Sequence, residues 1–256
     1  MTHKIDKLSL IAGIDLPIPE LGVSIHQPTI KDIAHIGESK FFSSAQIITK
    51  DVEDFLLDSS ESLSEEDKVV ISKMSNFQLI MTMSAQEPKV KLDVMLLLTL
   101  LFPSFMIEVE ERFIMLVDSS GDKPRTIMID DNNFSVLQDV VKIILCLNSS
   151  TQKEGFNPQG ELAREIAEKI KKGRAKVAAS KGETQKESTF LSKYISALGI
   201  ATQSLNILQA LDLTLYQLFD QIERFSLHEA YKISLQARLA GAKDVEDVDW
   251  LKDIER

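Results

Sequence analysis

The sequence predicts an α+β fold, predominantly α-helical, with a small antiparallel sheet in the N-terminal half and an all-helical C-terminal region. Two observations carry this. Runs with strand character and strong turn residues are concentrated between residues 105 and 130, and beyond residue 160 the chain reads almost wholly helical. Composition sets the frame: 256 residues, 44% hydrophobic and 27% charged, are enough to bury a sizeable core in an ordinary globular protein.

In chain order, residues 1–28 read as irregular or extended, because Pro17, Pro19 and Gly22 interrupt any helix; Val23–His26 alternates like a short strand. Thr29 then caps a helix with Asp32 three positions on, and Gly37 suits its stop. Short helices follow near 40–49 and 51–57. Ser59–Ser64 is a polar linker, and Ser64 caps a helix read as running to about Met83. Pro88 separates it from a second apolar segment, 89–102, which reads as a buried helix. Met106–Val109, Arg112–Val117 and Arg125–Ile129 form the expected sheet, with Asp118–Asp122 as a turn. Asn132 or Asn133 caps a helix from Phe134 to Leu147.

Residues 148–160 read as a linker, 161–180 as a charged helix and 181–187 as a polar break. Helices follow at about 188–199, 204–210 and 214–240, with a short closing helix that carries Trp250. The expected organisation is an α+β domain over 1–150, a charged helix and linker over 151–187, and a helical domain over 188–256.

The net charge of −10 argues against a general nucleic-acid binder. The first ten residues lack the apolar core of a signal peptide, and Val94–Phe102, the most apolar stretch, is too short to span a bilayer. No membrane partner is expected, and the single cysteine, Cys146, which cannot form an intramolecular disulfide, fits a reducing cytoplasm. His3, His26, His35 and His228 have no metal-ligand spacing, and there is no HExxH motif. No GxSxG elbow, GxxxxGK[ST] loop or GxGxxG loop occurs. Cys146 sits in an apolar run that makes a thiol inert. Glu110-Glu111 and Asp130-Asp131 read as solvated turns. No enzyme, metal or cofactor is expected, and no residue is assigned a catalytic role.

Two features are candidates for binding other proteins. Residues 161–188 carry eight Lys/Arg and five Asp/Glu. Lys171, Lys172 and Arg174 at their centre are either a docking arm for an acidic partner or nucleic acid, or one side of a solvated helix held by pairs three and four residues apart. In the long C-terminal helix, Leu215, Leu218, Phe219, Ile222 and Phe225 form one apolar stripe. It is either a core face or, in part, a docking surface.

Two segments carry a resemblance. Ile25-His26-Gln27-Pro28-Thr29-Ile30-Lys31-Asp32-Ile33, followed by Gly37-Glu38, resembles an N-terminal pattern of structural-module proteins from tailed bacteriophages of Gram-positive hosts. Leu211–Phe225, with Arg238–Lys243 and Trp250 trailing, resembles a segment from proteins of the same setting. The resemblance implies a tail morphogenesis protein close to the tail assembly chaperones. Its partners would be phage tail proteins, the tape-measure protein among them, or further copies of itself. The alternative it leaves is a structural virion subunit of the tail, baseplate or neck. It places the chain in the host cytoplasm or in the virion.

Overall fold

A computed structural model describes residues 5–59, 63–118, 124–147, 190–202, 205–243, 245 and 247–252. The chain is predominantly helical, with two small antiparallel sheets in the N-terminal half and helices in the C-terminal region. The α+β class read from the sequence is thus the observed one.

The first 28 residues hold more regular structure than their prolines suggest. Helix α1 spans Lys7–Ala12, with Asp6 accepting from the Leu8 amide and Gly13 closing the helix at φ +66°. Strands β1 (Leu16–Ile18) and β2 (Val23–Ile25) form an antiparallel hairpin. Pro17 fits because this two-stranded sheet has only edges. Leu16, Ile18, Val23 and Ile25 point into the core.

Helix α2 (Ile30–Ile36) starts in the expected capping box of Thr29 and Asp32, and Gly37 ends it. Helix α3 (Glu38–Thr49) packs Phe41, Ala45 and Ile48 inward. Helices α4 (Val52–Asp58) and α5 (Glu65–Ile71) follow. The helix expected to reach Met83 ends at α5. A separate helix α6, Asn76–Gln86, starts in a capping box formed by Ser75 and Gln78. The break is hard to read because Val69, Val70, Ile71, Met74 and Phe77 keep an apolar rhythm across it. Helix α7 (Pro88–Leu101) has its proline in the first turn, where no amide is needed.

Strands β3 (Met106–Val109), β4 (Ile114–Asp118) and β5 (Arg125–Ile129) form the expected antiparallel sheet in the order β3-β4-β5. Ile107, Val109, Ile114, Leu116, Ile127 and Ile129 face the core. Helix α8 covers Phe134–Ile144, three residues shorter than expected. Cys146 at φ +53° takes the left-handed position that ends it, and the Leu147 amide reaches back to the Lys142 carbonyl at 2.8 Å. Asn133 does not cap α8 with its side chain. Its Oδ1 instead accepts from the Asp130 backbone amide and its Nδ2 donates to the Met128 carbonyl, both at 2.9 Å.

The 150 boundary and the expected linker and charged helix lie outside the described residues. Helices α9 (Phe190–Ala201), α10 (Ile207–Leu211) and α11 (Leu215–Leu239) follow. Leu191, Ile195, Leu198, Ala210, Leu215, Tyr216 and Leu218 join one hydrophobic core with the N-terminal elements. Among the described residues Trp250 lies in a turn and not in the expected closing helix. No helix among the described residues is long and apolar enough to cross a membrane.

Polar side chains fix how the layers meet. Asp93 of α7 is buried and pairs with Lys40 of α3. Gln138 of α8, also buried, donates to the Ile48 and Lys50 carbonyls at 3.1 and 3.3 Å. Asn76 donates to Asp51 and to Gln138, each at 2.8 Å, and accepts from the Val52 amide at 3.0 Å. Lys142 reaches both oxygens of Asp51 at 2.8 Å. Buried polar groups satisfied in this way specify one arrangement of α3, α4, α6 and α8.

Candidate interaction surface

The two segments singled out in the sequence are far apart in the chain and adjacent in space. Thr29 and Thr214 form an isolated antiparallel bridge, and the Ile30 amide donates to the Leu213 carbonyl at 2.8 Å. Each threonine caps the helix that follows it: Thr29 with Asp32 before α2, and Thr214 with Gln217 before α11. Two helix starts are therefore stitched side by side.

The flanking residues serve the same junction. The His26 amide donates to the Leu101 carbonyl at 2.8 Å. Buried Gln27 donates to the Ser9 and Ile14 carbonyls at 3.2 and 2.6 Å. Gln217 reaches the Ile11 carbonyl at 2.7 Å, close over Gly13, where an added Cβ would stand 2.8 Å from the glutamine nitrogen. The two motifs are thus packing and capping devices around α1, α2 and α11.

Electrostatics at the junction follow from geometry. Partial burial pushes the Asp32 carboxyl up. Hydrogen bonds from the Thr29 hydroxyl and amide, with His26 and His35 nearby, outweigh that and hold it below its ordinary value. His26 also pairs with Asp15 at 2.9 Å.

The apolar stripe of α11 divides along its length. Leu215 and Leu218 lie in the core, so these two present no docking surface. Phe219 and Ile222 pack against the core, and Phe219 meets Tyr194 of α9 edge-on at 6.1 Å. Phe225 is half-buried. Farther along, Ile233, Leu235 and Leu239 are exposed, at 64%, 43% and 81%. Ile233 continues the Leu215–Ile222 stripe by helical spacing, while Leu235 and Leu239 lie on another side.

The chain after α11 folds back along it. Arg224 donates to the carbonyls of Trp250 at 3.2 Å and Lys252 at 2.7 Å. The Trp250 ring packs against His228 at 5.1 Å, and Arg238 pairs with Asp247. The exposed part of α11 is thus its distal half, flanked by this returning tail. Periodicity could locate the stripe but not the point at which it leaves the core. Lys171, Lys172 and Arg174, the other candidates, lie outside the described residues.

The remaining titratable groups are dispersed. His35 sits in the last turn of α2, and His228 lies against Trp250. Cys146 packs against the core beyond the end of α8. Asp131 is bonded across to Ser75 and Gln78 at the start of α6, so the Asp130-Asp131 turn is tied down as well as solvated. Among the described residues, no three His, Cys, Asp or Glu side chains are grouped to hold a metal ion.

Residues 183–255 match the family model described as the YomV second domain. YomV is a Bacillus phage-associated protein. The C-terminal part of this chain is therefore similar to a domain of a phage protein. The match takes in α9, α10, α11 and the returning tail, well under half of the chain. No curated protein and no solved structure matches.

Proposed function

We propose that this chain is a phage tail morphogenesis protein that acts by binding other tail components during assembly, with the tape-measure protein as the first partner to test. The observation that carries the reading is the match of residues 183–255 to a domain of a phage-associated protein. The exposed distal half of α11 within that segment supports a binding role, because aliphatic side chains left in water at one end of a helix gain free energy when a partner covers them. On this reading the chain works by association and not by catalysis, in the host cytoplasm, and a tail assembly chaperone is its closest functional type.

Two measurements test it. Co-expression with the phage's tape-measure protein should give a complex that survives gel filtration, and Ile233→Ser with Leu239→Ser should abolish it. Mass spectrometry of purified virions should find the chain absent. Abundant peptides at fixed stoichiometry would reject the assembly-factor reading in favour of a structural subunit of the tail, baseplate or neck.

A further inference from the structure

A second surface, remote in sequence from α11, is apolar and uncovered. Helix α5 buries no residue at all. Val69 and Val70 are 54% and 56% exposed, and Leu57 of the neighbouring helix α4 is 73% exposed. By helical spacing, Glu53 and Asp54 stand one turn before Leu57, and Glu65 and Glu66 one turn before Val69 and Val70; all four acids are exposed. Both helices thus set two exposed acids one turn before uncovered aliphatic side chains, Leu57 on α4 and Val69 and Val70 on α5.

Charge says what covers it. From the Asp51 cap to the end of α5, residues 51–71 contain eight acids (Asp51, Glu53, Asp54, Asp58, Glu61, Glu65, Glu66, Asp67) and one base, Lys68, a local −7 in a chain of −10. Within the described hairpin, Lys142 offsets Asp51 and Lys68 offsets Glu65. Asp54 also stands on the rim of an open cavity of about 470 Å³, walled by Phe55, Leu79 and Met83, with Lys50 over the Phe55 ring at 5.4 Å. The Asp51–Asn76–Gln138 network holds the base of α4 beside that cavity. Exposed aliphatic side chains with exposed acids one turn before them, on both helices, match an amphipathic helix with leucines on one side and lysines or arginines around them.

We infer that the α4–α5 hairpin docks a basic amphipathic helix of a partner protein. The inference rests on the binding-protein reading above but uses a different surface, so the two fail separately. Loss of the complex in the Ile233→Ser/Leu239→Ser variant bears on α11 alone.

The test uses the full chain and a labelled 14-residue helical peptide of leucines at i, i+3, i+4 and i+7 with lysines elsewhere, read by fluorescence anisotropy. Binding should fall at least about tenfold in Leu57→Ser/Val69→Ser/Val70→Ser and, separately, in Glu53→Gln/Asp54→Asn/Glu65→Gln/Glu66→Gln. Raising salt from about 50 to 500 mM should weaken the parent chain far more than the neutralised variant. Equal binding by all three proteins, no binding by the parent, or equal binding of a peptide with its leucines changed to serine would overturn the inference. So would a tenfold gain in peptide affinity on changing Lys171, Lys172 and Arg174 to Gln, because the chain's own basic run would then be the occupant. Unchanged circular dichroism in each variant confirms that a folded protein was measured, and α5, which buries no residue, should tolerate these changes.

Discussion

The two halves of α11 belong to one helix, and Ile233 in the distal half continues the apolar stripe of the proximal half, yet the halves meet different surroundings. In the proximal half, Leu215, Tyr216 and Leu218 lie in the core with α8 and α9 near them. In the distal half, Ile233, Leu235 and Leu239 are exposed, and the returning tail touches the helix through His228 and Arg238. The difference teaches that a hydrophobic repeat specifies a helix face and leaves open what covers it. Coverage depends on how far the neighbouring elements reach.

The largest test of this contrast is Leu218→Ala against Ile233→Ala. The first should cost about 2–5 kcal/mol, because a cavity opens in a packed core. The second should stay within about 0.5 kcal/mol, because the side chain is already in water. Urea unfolding of both variants measures the gap, and equal losses would break the comparison.

The next effect concerns what holds the covering layers in place. Gln138→Leu strands the Ile48 and Lys50 carbonyls and one Asn76 donor in the interior. It should cost about 1–3 kcal/mol. A neutral result by the same measurement would mean that packing alone fixes α3, α6 and α8.

Smaller again are the two caps at the stitched junction. Thr214→Ala and Thr29→Ala should each cost about 1 kcal/mol. Because the two threonines bridge each other, the double variant should depart from additivity by more than distant sites do. Strict additivity in a double-mutant cycle would show that the helix starts act independently.

Asp32 adds a modest pH dependence to the same junction. Its folded value lies below the unfolded one, so its contribution is present above the ordinary aspartate range, near pH 4, and is lost as the pH falls through the folded value. The urea midpoint of the parent should therefore drop more steeply below about pH 4 than that of Asp32→Asn. The smallest expected effect is Arg224→Ala. It should free the tail and shift the emission of Trp250, the single tryptophan, to the red with little change in global stability.

Legibility followed the range of each signal. The Thr29 box, the Ser64 cap, Pro88, the β3–β5 sheet and the start of α11 at Thr214 were all readable, because each is settled within a few residues. The Ser75 start was missed where an apolar rhythm ran through it. Helix α1 was missed, and the β1–β2 hairpin read only as a strand at 23–26, because prolines and a glycine masked a segment that the core and Gln27 organise. Of the candidate surface, the stripe was legible and its division was not. Leu215 and Leu218 proved to be core.

The helical majority, the caps and the apolar stripe of α11 follow from local hydrogen bonding and spacing, and the acidic balance from composition, so all were readable in the residues. Only the tertiary structure decided that Thr29 meets Thr214, that Asp93 finds Lys40, and that the distal end of α11 and the α4–α5 hairpin stay uncovered. Those outcomes depend on which distant segments arrive at each face, and no local signal carries that.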